Sequence, residues 1–406
     1  MKILLQINSV VNSGSTGRIA EEIGQTAIAA GWESYIAYGR NERPSSSKLI
    51  KIGTDKDIKL HGLQTRLFDR HGLGSKDATT AFIRKVEDIK PDIVHLHNIH
   101  GYYINMEVLF HYLKKVNVPV VWTFHDCWPI TGHCSYFTFI GCEKWKTQCY
   151  ECPQKRGYPA SYFIDRSKKN YNLKKELFNS LSNLTLVPVS QWLSGILKES
   201  FLQNYPIKVI NNGINTEVFK PSLSSDFRNK YGLKDKFILL GVASVWEERK
   251  GLKDFIELSK LLDSDCQIVL VGLTKKQIEQ LPENILGIER TENVEELADI
   301  YSSADIVLNL SYEETFGLTT IEGFACGTPG IVYNATASPE LIDKSTGLIV
   351  EPGDINGIVE SINKIKENGK QYYSDACESR AHKFYKKEDR YKEYIDLYES
   401  LLKRRK

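Results

Sequence analysis

Charge of one sign is what this 406-residue sequence lacks: 53 Lys and Arg against 51 Asp and Glu leave a formal +2. Nucleic-acid binders draw most of their affinity from excess Lys and Arg, so no nucleic-acid partner is expected. Long hydrophobic runs are missing as well; none reaches the ~20 residues that cross a bilayer. The opening Met1-Lys2-Ile3-Leu4-Leu5-Gln6-Ile7-Asn8 is too short an apolar stretch for a signal peptide, and no small-residue cleavage site follows it. The expected location is the cytoplasm. What remains is ordinary for globular protein: 41% hydrophobic, 26% charged, 28 Gly and 13 Pro. At roughly 150 residues per domain the length predicts two or three domains.

Short apolar runs of strand length recur with helix-length stretches between them. In the first half they are Ile3 to Ile7, Ile93 to Leu96, Val118 to Phe124 and Leu184 to Val189; the rhythm restarts with Phe237 to Val242, Gln267 to Gly272, Ile306 to Leu310 and Gly330 to Val332. Near-continuous hydrophobic strands alternating with helices predict parallel sheets covered on both faces. The expected fold class is α/β, two doubly wound domains facing each other across a cleft, with ligands beyond the carboxyl ends of the strands. Asn211-Asn212-Gly213-Ile214-Asn215 lies between the two series, and Gly and Asn tolerate the φ > 0 of turns. The expected domains are 1–205, 206–385 and a terminal amphipathic helix, 386–406, carrying Tyr391, Tyr394, Leu397, Tyr398, Leu401 and Leu402 at helical spacing.

Three loops at strand ends are candidates for chemistry. Glu313-Glu314-Thr315-Phe316-Gly317-Leu318 follows the strand at 306–310 and leads into a helix predicted from Thr319 to Ala325. A helix N-terminus offers free N–H groups to an anion, and Glu314 and Glu322 would reach the hydroxyl-rich ends of a ligand lying over the loop. A nucleotide sugar has that form; the alternative is two acids that merely favour a helix start. Trp246-Glu247-Glu248-Arg249-Lys250-Gly251 follows another strand end. A diphosphate needs fixed cations, because charge-assisted contacts at ~1.5–3 kcal/mol exceed the ~0.3–1 kcal/mol of a helix dipole. Arg249 and Lys250 are candidates, or a solvated surface pair. The third, Gly14-Ser15-Thr16-Gly17-Arg18, reads as a phosphate-cradling turn before a helix from Ile19 to Ala30, although it is neither a G-x-G-x-x-G nor a Walker sequence.

His125 ends the strand before it, with Asp126 placed to orient its ring; His95 and His97 share one face of a strand and are read as packing and hydrogen-bonding residues. Five of eight cysteines crowd into one segment. Cys134, Cys142, Cys149 and Cys152 offer four thiolates to one structural zinc, with Cys127 and His133 as spare ligands; disulfides and unconnected thiols are the rival readings. The ending Lys403-Arg404-Arg405-Lys406 would attract anionic lipid at ~1 kcal/mol per residue, or fray as a soluble tail.

With these motifs on the page, the sequence resembles the retaining nucleotide-sugar glycosyltransferases of glycosyltransferase family 4. The resemblance is carried by Asn212 to Pro221, by Glu314-Thr315-Phe316-Gly317-Leu318 to Glu322, by Ala325-Cys326-Gly327-Thr328-Pro329 and by Ser338-Pro339-Glu340. His125 to Cys134, with Lys144-Trp145-Lys146-Thr147 and the later cysteines, is similar to a bacterial capsule and exopolysaccharide subgroup. The resemblance implies a GT-B fold: an acceptor-binding first domain, a donor-binding second domain, and a terminal helix that crosses back. It implies that Glu314 holds the donor sugar and Glu322 the ribose. Phe316, Gly317, Leu318, Arg249 and Lys250 would grip the diphosphate, His125 would lie near the transferred sugar, and Gly14 to Arg18 would close over the phosphates. It implies no catalytic metal and a glycan or lipid-linked acceptor; peripheral contact with the inner face of a membrane is expected only from the basic ending Lys403 to Lys406. Many members carry an arginine where this chain has Ser244. A nucleotide-sugar epimerase of the same general fold and a non-catalytic nucleotide-sugar-binding subunit are the alternative functions.

Overall fold

A computed structural model of the chain describes residues 1–222 and 226–404; Arg405 and Lys406 of the basic ending lie outside the described residues. The chain divides into two compact units, 1–211 with 390–406, and 212–389. Among the described residues no helix is long and apolar enough to cross a membrane.

Unit 1 is built on a six-stranded parallel sheet. Its strands are β1 (Ile3–Ile7), β2 (Glu33–Tyr38), β3 (Lys48–Lys51), β4 (Ile93–Leu96), β5 (Val120–Phe124) and β6 (Leu184–Pro188), in the order β3-β2-β1-β4-β5-β6. Its helices are α1 (Gly14–Ala29), α2 (Asp55–Phe68), α3 (Lys76–Ile89), α4 (Met106–Val116), α5 (Ser167–Phe178) and α6 (Gln191–Glu199). β4, β5 and β6 are buried along their whole length, as strands covered on both faces must be.

Unit 2 repeats the plan with β7 (Phe237–Val242), β8 (Cys266–Val271), β9 (Ile285–Ile288), β10 (Ile306–Asn309), β11 (Gly330–Tyr333) and β12 (Gly347–Val350), ordered β12-β11-β10-β7-β8-β9. Counted from its own first strand, this is the same 3-2-1-4-5-6 order as unit 1. Its helices are α7 (Asp226–Tyr231), α8 (Leu252–Ser259), α9 (Lys275–Ile278), α10 (Val294–Ser303), α11 (Leu318–Ala325), α12 (Ile355–Asn368) and α13 (Gln371–Tyr385).

The last helix, α14 (Lys387–Arg404), returns the chain to unit 1. Its Tyr391, Tyr394, Ile395, Leu397 and Tyr398 join Leu4, Ile23, Trp32 and Ile93 in one apolar core. Polar anchors fix its register: the Tyr398 hydroxyl meets His95 Nδ1 at 2.7 Å, and the Thr123 hydroxyl donates to that of Tyr394 at 3.1 Å.

Two local expectations are corrected. Gly14 to Arg18 is not a loop ahead of a helix but the first turn of α1, which begins five residues earlier than its apolar pattern. Gly213 has no positive φ. It is required for close approach instead, because a Cβ there would lie 2.4 Å from Lys387 Cα, beside the Ile214–Lys386 bridge.

Candidate functional site

In a 3-2-1-4-5-6 sheet the chain leaves strands 1 and 4 in opposite directions, and the gap beyond their carboxyl ends takes ligands. In unit 2 those strands are β7 and β10, and the loops that follow them hold two of the three motifs singled out in the sequence. The β7 loop makes one short helical turn, Glu248–Lys250, and then Gly251 with φ +75°. A Cβ on Gly251 would sit 2.2 Å from Leu310 O, so only glycine lets this loop close against the end of β10. The Tyr312 N–H donates to Arg249 O at 2.8 Å and locks the two loops together.

That contact brings the charged groups of the two loops into one cluster. Lys250 Nζ is paired with Glu314 Oε1, both side chains largely buried. Arg249 donates from Nε to Glu247 Oε2 at 3.0 Å and from its terminal nitrogen to Glu313 O at 3.4 Å. The Glu314 main chain is fixed on both sides: its N–H donates to Thr336 Oγ1 at 2.8 Å, and its carbonyl accepts from Ala337 N–H at 3.2 Å. Thr336 is a site residue that the sequence reading missed. It lies 22 positions away with no local signal, and its left-handed φ of 50° appears only in the structure.

Gly317, at φ +100°, caps α11 with no side-chain acceptor. The first-turn N–H groups of α11 therefore have no capping side chain and suit an anion. Phe316 is buried against Tyr385 and holds the turn down. Glu322, one turn into α11, is buried, and its Oε2 accepts from the Tyr301 hydroxyl at 2.9 Å. Ser244 is exposed in the β7 loop.

In unit 1 the equivalent position is the end of β1 and β4. The first turn of α1 follows β1, with Ser13 at the cap making no side-chain cap hydrogen bond and Gly14 at φ +60°. Gly17 is buried, and a Cβ there would press on Val10 and Asn12 at 3.0–3.1 Å. Arg18 is exposed; its Nε donates to Gly14 O at 3.3 Å.

His125, at the end of β5, is set by a relay. The Gln6 amide is oriented by its Nε2, which donates to Ala20 O at 2.8 Å, so Gln6 Oε1 faces His97 Nε2 at 3.0 Å and accepts from it. A neutral His97 then accepts at Nδ1, 3.1 Å from His125 Nε2. His125 is therefore the donor at Nε2, and its Nδ1 carries no proton. The two rings stack with centroids 5.4 Å apart. Burial drives the His97 pKa well below its usual value and pushes that of His125 down to about 4, so both imidazoles are neutral near pH 7. The expectation that Asp126 orients His125 is corrected: Asp126 accepts from His100 Nε2 at 2.8 Å and from Trp128 N–H at 2.9 Å. His95 and His97 do hold the packing and hydrogen-bonding roles expected of them.

The cysteine segment lies within unit 1. Cys134, Cys142, Cys149 and Cys152 line one small cavity with His133. No disulfide is present among the described residues. Cys134 donates to Cys152; that bond pushes the Cys134 pKa up and holds Cys152 down to about 7. His133 Nδ1 meets Asp69 Oδ1 at 2.6 Å, and its buried Nε2 has no hydrogen-bond partner. Lys174, wholly buried beneath this segment, donates to Trp128 O at 2.7 Å and Thr131 O at 3.0 Å; burial pushes its pKa down to about 7. Among the described residues no group of three or more His, Cys, Asp or Glu side chains stands ready-made to hold a metal ion.

Comparison with known proteins places this geometry. The family model described as Glycosyltransferase Family 4 matches residues 16–218, and that described as Glycosyl transferases group 1 matches residues 224–384. Over 417 aligned residues the chain is 24% identical to the putative colanic acid biosynthesis glycosyl transferase WcaC of Escherichia coli K12, covering 98% of this chain and 100% of the relative. Sucrose-phosphate synthase from Thermosynechococcus elongatus shares the fold at a TM-score of 0.75 and 17% identity, covering 99% of each chain. Anabaena HepE, solved in complex with UDP-glucose, does so at a TM-score of 0.70 and 14% identity, over 98% of this chain and 100% of that one. Two parallel sheets of one strand order, each covered by helices, and matches that run through both units lead to one conclusion: the chain belongs to glycosyltransferase family 4 and has the GT-B fold of two Rossmann-like domains.

Proposed function

We propose that this glycosyltransferase moves a sugar, with retention of anomeric configuration, from a nucleoside diphosphate to a lipid-linked glycan in bacterial surface-polysaccharide synthesis. The observation that carries the reading is the joined β7 and β10 loops of unit 2, where Lys250, Arg249 and Glu314 sit beside the uncapped N-terminus of α11. WcaC, similar over the whole chain, is named for colanic acid biosynthesis. HepE supplies a UDP-sugar as the model for the donor class.

In this reading the diphosphate takes the N–H groups at Phe316, Gly317 and Leu318 together with Arg249 and Lys250; the first turn of α1, Gly14 to Arg18, is the phosphate-binding candidate of unit 1. A diphosphate is the stronger partner for Lys250, so donor binding draws the ammonium from Glu314 and frees that carboxylate to accept from sugar hydroxyls. Glu322 holds the ribose. His125 stands by the transferred sugar as a neutral imidazole. The bond from the anomeric carbon to the diphosphate breaks as the acceptor oxygen bonds on the same face, and the acceptor's proton passes to the leaving diphosphate. No catalytic metal is required.

The test is incubation with a panel of nucleotide sugars and purified lipid-linked acceptors. Release of nucleoside diphosphate, with an α-linked donor giving an α-linked product by NMR, supports the reading. Absence of release with every pair, or sugar isomerisation without an acceptor, overturns it.

The cysteine segment carries a structural proposal. Four thiols and the buried Nε2 of His133 border one cavity, and His133 gives its other nitrogen to a carboxylate, as zinc-binding histidines commonly do. Zinc on Cys134, Cys142, Cys149 and Cys152 requires the thiols to turn toward a common point. One equivalent of zinc per purified chain, reduced in Cys152→Ser, supports it; free thiols with no bound metal end it.

A further inference from the structure

A core that only has to hold a helix in place needs no polar atoms, because a buried hydroxyl or imidazole must recover in hydrogen bonds what it loses on leaving water. The seat of α14 departs from this. The helix packs among Leu4, Ile23, Trp32 and Ile93, yet four polar groups run through the same interior: the side chains of Tyr394, Tyr398, His95 and Thr123, each 1% exposed or less. Phenylalanine and leucine would fill that volume without burying polar atoms.

The donors and acceptors of these four groups follow one consistent order. The Thr123 hydroxyl gives its only proton to Tyr394 at 3.1 Å, so it accepts from His95 Nε2 at 2.7 Å. A neutral His95 then has a lone pair at Nδ1, which accepts from the Tyr398 hydroxyl at 2.7 Å. Burial holds the His95 pKa well below its usual value, so the neutral ring is the form present near pH 7. One nitrogen is engaged by α14 and the other by β5, and the ring cannot flip without breaking both bonds.

This fixed ring lies against the relay that sets His125. His95 lies in β4 and His97 just beyond it, two positions apart and so on one side of the strand, with ring centroids 4.0 Å apart. His97 in turn meets His125 Nε2 at 3.1 Å. Thr123 provides a second route, two residues before His125 at the end of β5. Tyr394 also stacks on His95, with centroids 5.2 Å apart. An unbroken series of ring contacts and hydrogen bonds thus joins α14 to His125 within unit 1, across 271 positions of sequence between Thr123 and Tyr394.

We propose that Tyr398 and Tyr394 are positioning residues for His125: by clamping His95 and Thr123 they fix His97, and through it the imidazole of His125. The terminal helix then takes part in the reaction as well as in stability. The inference rests on the reading that His125 stands by the transferred sugar.

Tyr398→Phe tests it, since it keeps the ring and removes only the hydroxyl on His95 Nδ1. In the full chain carrying isotope-labelled histidine, nitrogen NMR spectra should show His125 as the Nε2–H tautomer, its signals identified by their loss in His125→Ala. In Tyr398→Phe the signals of His97 and His125 should shift or broaden. With the donor and acceptor pair found in the nucleotide-sugar panel, kcat should fall by about 3–10-fold and donor KM should hold, as for a small misplacement of a group at the reacting sugar. Tyr394→Phe should act in the same direction. Leu397→Ala, on the same helix and in the same core, is the packing control; it should lower the melting temperature and leave kcat and the His125 signals in place. Unchanged His97 and His125 signals in both tyrosine variants overturn the proposal, as does an equal fall of kcat in Leu397→Ala. Where the signals move and kcat does not, His125→Ala decides. If it is inactive, the proposal is overturned; if it is active, the placing of His125 by the sugar fails while the moved signals uphold the coupling.

Discussion

The two units place different chemistry on one strand order. At the carboxyl ends of the unit 2 sheet the side chains are ionic: Arg249, Lys250 and Glu314, gathered by the backbone contact between the β7 and β10 loops. At the corresponding end of the unit 1 sheet a hydrogen-bonded line of neutral groups runs from the buried Gln6 and His97 to the half-buried His125. Eight of the nine histidines, all but His382, fall in unit 1. Parallel βα units fix where a site is built, since strand ends and helix N-termini converge there. The loops decide whether that place grips phosphate charge or lines up hydroxyls.

The most forceful way to break this comparison is to remove its ionic half. Glu314→Ala should lower turnover by about 10³-fold, the range for a group that acts on the reacting sugar, while the protein still binds nucleoside diphosphate. Initial rates with saturating donor, and nucleotide binding by calorimetry, measure the two parts. Lys250→Ala removes one charge-assisted contact and should raise the donor KM by about 10–100-fold. An unchanged KM would remove Lys250 from the diphosphate site.

The neutral half is tested more gently. Gln6→Leu leaves His97 free to choose its tautomer, so His125 is no longer held as the Nε2 donor. The kcat should fall by about ten-fold with little change in donor KM, and a shift in the acid limb of the pH profile would distinguish this from simple loss of packing.

Acid separates the units by stability. His125 and His61 are held down to about 4, chiefly by burial, and His71, His95 and His97 lie well below their usual value. A depressed folded pKa means that the unfolded chain binds more protons below pH ~6.5, so this stability is complete above that pH and is lost as pH falls toward 4. His133 opposes the trend; its burial works downward, but Asp69 carries it upward. Unit 1 should therefore melt roughly 5–10 °C lower near pH 4.5 than near pH 7, with unit 2 shifting less. Calorimetric scans that show both transitions moving together would break the contrast.

Much of the fold was legible in the sequence. Strands buried on both faces, such as β4, β5, β7 and β10, read as near-continuous apolar runs because a parallel sheet leaves them no polar side. Four strands escaped: β3, β9 and β12, which are four residues long with part-exposed side chains, and the interior β2, whose Glu33 and Ser34 break its apolar run. The start of α1 was placed too late because its first turn, Gly14 to Arg18, carries no apolar periodicity. In the site, the glutamates and cations were visible as motifs. Thr336, Tyr301 and the Gln6–His97 relay were not, since each acts across a gap in sequence that no local pattern spans.

The amino-acid order by itself determined that this chain makes parallel α/β sheets, and which strand ends carry acids, cations and imidazoles, because burial on two faces and helix-start chemistry are local properties. Which of those groups meet was decided only in three dimensions. Lys250 pairs with Glu314, and His97 rather than Asp126 holds His125. Each of these depends on the distance between segments far apart in the chain, which the packing of sheets and helices alone sets.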